Sequence, residues 1–259
     1  MSTPIGQRPL ADAPEPAQKS LSVIDVRDRL RAAVLHSRLR PGTLHAQGDV
    51  RTLLDVGRTP FREALRMVQA EGLIELRANG QLWIPELSVD DFTRIQIVRI
   101  ALESAAVRLS VPRLGPDEHA HLEGLMAQMS HYVSFEHFDR MEHPHLEFHR
   151  ALTAGAGADL QDAVADLADR VGRYRWAHPT VVQGHWVGRA EEHRAILDAA
   201  IAGEPELVVA HLIRHYLGSG RRLVETMGVP DGPRGHEWFE SQILNSLAAS
   251  VRERVLEVS

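Results

Sequence analysis

The sequence predicts a mainly α-helical chain in two unequal parts: a winged helix-turn-helix at residues 21–86 and an all-α bundle of six to seven helices at 87–227. Three observations lead there. Apolar residues recur at helical spacing over nearly the whole chain, with breaks at Gly and Pro. Only one pair of short β-branched and aromatic runs, around Asn79-Gly80, has the form of a hairpin. Charge is also segregated: residues 21–85 carry ten arginines against seven acids, net +3, whereas 86–259 carry seventeen against twenty-six, net −9. A chain of 259 residues exceeds one typical domain, so a small basic unit joined to a larger acidic one is the expected organisation.

The first twenty residues, "MSTPIGQRPLADAPEPAQKS", are rich in Pro, Ala and polar groups and lack an apolar core segment, which reads as a flexible tail. No run approaches the roughly 20 apolar residues of a membrane span, so no membrane association is expected. With no cysteine the chain has no disulfides, thiolate nucleophiles or Cys-based zinc sites, which suits a reducing cytoplasm. Any metal must be held by His, Asp or Glu.

Val23, Val26, Leu30, Ala33 and Val34 place one amphipathic helix before Pro41-Gly42, and a short helix is expected around Asp49 to Leu54. In "GRTPFREALRMVQAEGLIEL" Thr59 reads as N-cap, Pro60 as the first helical residue and Gly72 as the stop. Phe61, Ala64, Leu65 and Val68 form its apolar face, with Arg58, Arg62 and Arg66 on the other. "LIELR" and "LWIPEL" flank "ANG" as two strands with Asn79-Gly80 at the tip, where positive φ is inexpensive. Three helices and a hairpin with guanidiniums on the last helix describe a winged helix-turn-helix. Arginine there can hold phosphates and pair with guanine in the major groove.

"DVGRTPFREALRMVQAEGLIEL" resembles the signature of the GntR family of bacterial transcription regulators nearly residue for residue. The resemblance implies a role in DNA contact for Arg58, Thr59 and Arg62 at the head of the recognition helix and for Asn79-Gly80 at the wing tip; Arg66 joins them only through its place on the same arginine face. Gly57 stands where the family usually has Ser or Thr. Gly48 replaces an Arg found in some members, and Arg51 one turn later is the expected substitute. One winged helix makes a small contact area, so a homodimer on a palindromic double-stranded operator is expected.

In the acidic part, Ser88 is the expected N-cap of a helix of about twenty residues, with Asp91 placed for a capping box. "HPHLEFH" sets His145 and His149 four apart after Pro144, which reads as the first helical residue. His193 and His215 occupy later helices with apolar neighbours, and antiparallel packing can bring such residues to one point inside a bundle. His211, one turn from His215, is the rival ligand. The remaining histidines between 119 and 143 read as ordinary core or boundary residues. Residues 228–259 form a C-terminal extension: a Gly/Pro-rich link, then one amphipathic helix with Trp238, Ile243, Leu247 and Val251 near one stripe.

"VRIALESAAVRLS", "HLEFHRAL" and "EEHRAILDAAIAGEPELVVAHLIRHY", in that order, resemble the FCD ligand-binding domain of the FadR branch of these regulators. That resemblance implies a divalent metal, with His149, His193 and His215 as ligands and His145 where the family has Asp, and it implies Arg99 as a carboxylate-binding residue for the effector. Losing the Asp charge shifts preference toward Zn or Ni over Mn. The function expected is a repressor whose operator affinity is controlled by a small carboxylate bound at the metal. A metal-responsive regulator is the alternative. A metal-dependent hydrolase is weaker: no HExxH motif occurs, no carboxylate is obviously placed as base beside the histidines, and the winged helix has no role in that account.

Overall fold

The computed structural model describes residues 21–178, 190–227 and 235–258. The expected tail at 1–20 and the expected Gly/Pro link at 228–234 lie outside the described residues. The chain opens with α1 (Val23–Leu35), β1 (Thr43–His45), α2 (Gln47–Leu54) and α3 (Arg58–Ala70), followed by β2 (Glu75–Leu76) and β3 (Leu82–Ile84). Ser22 caps α1 in a capping box with Asp25. The apolar faces read from the sequence are those buried: Val26, Leu30, Ala33 and Val34 of α1 pack with Phe61, Ala64, Leu65 and Val68 of α3 over Leu82 and Ile84.

Two local expectations are corrected here. Helix α3 starts at Arg58 with Gly57 as N-cap, so Thr59 and Pro60 lie inside its first turn rather than at the cap and first position. Pro60 is accommodated because first-turn N–H groups have no intrahelical partner anyway. Instead of a lone hairpin, β1 joins β3 and β2 in a three-stranded antiparallel sheet ordered β1-β3-β2, with Thr43 opposite Ile84 and Glu75 opposite Trp83. The turn between β2 and β3 uses Gly80 at φ 78°.

The larger part comprises α4 (Val89–Ser110), α5 (Pro116–Ser134), α6 (Phe138–Leu152), α7 (Ala158–Ala177), α8 (Ala190–Ile201) and α9 (Pro205–Thr226). Among the described residues these are six long helices around one apolar core. Ser88 caps α4 as expected, but Asp91 accepts a 2.7 Å bond from Tyr174 on α7. Pro144 lies inside α6 and not at its start. Proline removes one i→i−4 bond, and burial of Met141 before it and Phe148 and Leu152 after it carries the helix through.

The C-terminal extension contains two helices rather than one, α10 (His236–Ser246) and α11 (Ala249–Glu257), separated by extended backbone at Leu247. Both pack on α9. Gly220 of α9 admits the ring of Phe239, and a methyl at that glycine would collide with the ring edge at Cζ and Cε1.

The two cores are tied through α7. Arg31 of α1 pairs with Asp166 and Asp169 of α7, both at 2.6 Å, and with Glu71 at 3.0 Å. Arg173 of α7 donates to the carbonyl of Pro85 in the connecting segment.

Candidate metal centre and nucleic-acid face

His145 and His149 project from α6 at i and i+4, His193 comes from α8 and His215 from α9. All four are buried, at 2–4% exposure, and each offers a nitrogen such that all four atoms lie within 4.8 Å of one another. His145 Nε2 and His149 Nε2 are 3.2 Å apart. Neighbouring nitrogens on one tetrahedral zinc stand roughly 3 Å apart, so the donor set fits a divalent ion of the imidazole-binding kind. His211 is half-buried and stands outside the cluster.

The hydrogen bonds behind two of these rings fix which nitrogen is available. Tyr216 has one phenolic proton, directed to Glu103 Oε1 at 2.7 Å, and its oxygen accepts from Arg99 Nη2 at 2.8 Å. His149 Nδ1, 3.1 Å from the same oxygen, is therefore the donor, which leaves the lone pair on Nε2. His215 Nδ1 donates to the Glu192 carboxylate at 2.8 Å, with the same consequence. Burial, only partly offset by the Glu103 carboxylate 3.4 Å from Nδ1, pushes His149 below its ordinary range and favours the neutral ring. Neutral imidazole is the ligating form.

Glu103 is also buried. Burial alone would raise its pKa, but the charge of Arg99, the nearby His149 ring and the bond from Tyr216 hold it at about 2. A fixed carboxylate behind a histidine raises its basicity and holds its ring in one orientation. Glu103, Glu192 and Tyr216 are partners of the histidines that the sequence pattern does not single out; the two carboxylates are held by Arg99, Tyr216 and His215 and orient the rings rather than standing free as a base. Their signals were faint: Glu103 follows Arg99 by one turn, and the other two adjoin His193 and His215.

Arg99 is buried, bonded through Nε to Glu103 at 3.0 Å and stacked 4.2 Å over the Tyr216 ring. It also lines a cavity of about 260 Å³ between α6 and α7, together with His149, Arg150, Gln161 and Asp169.

In the smaller part, Arg58, Thr59, Arg62 and Arg66 are exposed along α3, and Arg51 on α2 is half-buried. None of these four arginines forms an ion pair among the described residues, so their charge is open to an external anion. Asn79 and Gly80 are exposed at the wing tip. Gln47 of α2 donates to the Gly80 carbonyl at 2.7 Å, and Asn79 Oδ1 accepts from the backbone of Gln81, which holds the tip against the helices.

Comparison with known proteins finds two family matches along the chain. Residues 24–81 match the model for bacterial regulatory proteins of the gntR family, and residues 95–218 match the FCD domain. The chain belongs to the GntR family. This GntR chain is similar to the uncharacterized HTH-type transcriptional regulator BphR of Paraburkholderia xenovorans, 29% identical over 86% of this chain and 94% of that protein. It is also similar to a probable D-xylose utilization operon transcriptional repressor of Paenarthrobacter nicotinovorans, 25% identical over 75% and 84%. Among solved structures, E. coli McbR/YncC superposes with a TM-score of 0.68 at 20% identity, covering 80% of this chain and 98% of that one. The GntR chain is thus a DNA-binding transcription regulator whose relatives are regulators and not enzymes. No described helix is long and apolar enough to cross a membrane.

Proposed function

We propose that this regulator is a repressor that binds a palindromic operator as a homodimer. In this reading it holds one divalent metal at His145, His149, His193 and His215, and releases DNA when a small carboxylate reaches that metal. The observation that carries the reading is the convergence of four buried imidazoles from three helices within 4.8 Å. The ion would be Zn or Ni in preference to Mn, because all four donors are imidazole. When bound, such an ion supplies a Lewis-acidic, positively charged anchor for an anion. The chain's own residues do the rest. Glu103 and Tyr216 orient His149, and Glu192 orients His215. Arg99 supplies a fixed positive charge behind His149, and a direct bond from it to an effector would require exchange of its bond to Glu103 or to Tyr216. On the DNA side, Arg58, Thr59, Arg62 and Arg66 would meet the major groove and backbone, Arg51 the phosphates, and Asn79-Gly80 the minor groove.

The test begins with selection of duplex sequences from a random pool by the metal-loaded protein. Operator affinity is then titrated with and without metal and with a panel of mono- and dicarboxylates. The reading predicts a palindromic consensus and release by a carboxylate only when metal is present. Release by metal alone would instead favour a metal-responsive regulator.

A further inference from the structure

Two cavities border the histidine cluster from different sides, and they differ in character. The one beside His149 carries two carboxylates, Glu147 and Asp169, and two guanidiniums, Arg99 and Arg150, on its wall, and Arg99 is already held by Glu103 and Tyr216. The two signs offset one another there, so an anion gains little net attraction from this wall. The other, of about 160 Å³, lies between α5, α6 and the start of α8 and has His193 in its wall. The His193 ring lies 4.5 Å from His215 and 5.2 Å from His145, centroid to centroid, so this wall is one face of the cluster itself.

Met126, Met129 and Met141 form the buried floor of this second chamber, each less than 5% exposed, with Val133 beside them. Ser130, Ser134 and Ala190 are exposed and mark its mouth. Ser134 directs its hydroxyl to the Ser130 carbonyl at 2.9 Å, so that proton already has an acceptor at the rim. Among the described residues the wall has no Asp, Glu, Lys or Arg. Methionine is unbranched and polarizable and adapts to apolar ligands of varied shape. The volume equals that of roughly five water molecules in the liquid, which is room for an apolar group of about that many heavy atoms.

We propose that the effector is an amphiphilic monocarboxylate whose head reaches the histidine cluster past His193 and whose aliphatic or aromatic body fills the methionine-lined chamber. This rests on the reading that the cluster presents a metal to a carboxylate, and it adds the class of molecule. Sugar acids and short dicarboxylates are disfavoured, because their hydroxyls or second charge would be buried against methionine with no partner.

Calorimetric titration of the zinc-loaded full chain with straight-chain monocarboxylates from acetate to octanoate, with benzoate, and with gluconate as the hydroxylated counterpart, tests this. Affinity should rise about threefold to fourfold per methylene until the chamber is full, and gluconate should bind no better than acetate. Met129→Gln, close in volume and polar, should flatten that slope while leaving zinc content unchanged. Equal affinity along the series, or a slope that Met129→Gln leaves intact, overturns the assignment of the body to this chamber but spares the metal-presented carboxylate. Absence of binding by every carboxylate to fully loaded protein overturns both.

Discussion

Asp169 accepts a 2.6 Å bond from Arg31 of the DNA-binding part, and the same aspartate lines the cavity beside His149. One side chain thus belongs both to the junction between the two cores and to the surroundings of the histidine cluster. Arg31→Ala removes three ion pairs, two of them to α7, and should destabilise the chain by about 1–2 kcal/mol, a network value rather than that of a single exposed pair. Chemical denaturation of Arg31→Ala, Asp169→Asn and the double variant checks this. The two effects should be non-additive, and additive losses would show that the contact is not energetically coupled.

The Gly220–Phe239 contact fixes the C-terminal extension on α9. Gly220→Ala should cost about 1–3 kcal/mol through overpacking, and Phe239→Ala about 3–5 kcal/mol through loss of a fully buried ring. In the Phe239→Ala background the glycine substitution should become nearly neutral, because the clash has gone. Thermal unfolding of the four proteins reads this cycle. A full Gly220→Ala penalty in both backgrounds would place the constraint elsewhere.

Arg58→Ala and Arg62→Ala should each weaken specific operator binding by about 1–3 kcal/mol if each reads a base, with helicity unchanged. Arg51→Ala should instead lower affinity for all sequences alike and reduce the salt slope by about one. Anisotropy titrations against the selected operator and a scrambled duplex at two salt concentrations separate these outcomes. Equal losses on both duplexes for Arg58→Ala would reassign it to the backbone.

Much of this is legible in the sequence, for physical reasons. The buried face of α3 follows from periodicity alone, because Phe61, Ala64, Leu65 and Val68 are spaced to share one side of a helix. The histidines were legible as an i, i+4 pair and two residues on later helices. That all four meet depends on how α6, α8 and α9 pack, which no local pattern encodes. β1 leaves no local signal, since three residues of half-exposed strand have no period of their own and are stabilised by pairing with β3 some forty residues away. Pro144 is ambiguous in the sequence, because the same residue marks a helix start and a tolerated interior position. The roles of Glu103 and Tyr216 come from α4 and α9 approaching α6, a contact between residues 113 apart in the chain.

The most direct test of the central claim is the metal content of the purified chain by elemental analysis, beside His149→Ala, His193→Ala and His145→Ala after equal loading with zinc. The account predicts about one zinc per wild-type chain, and near-complete loss in His149→Ala and His193→Ala with folding retained by circular dichroism. It also predicts a marked reduction in His145→Ala. Equal zinc in all four proteins, or none in the wild type, would contradict it.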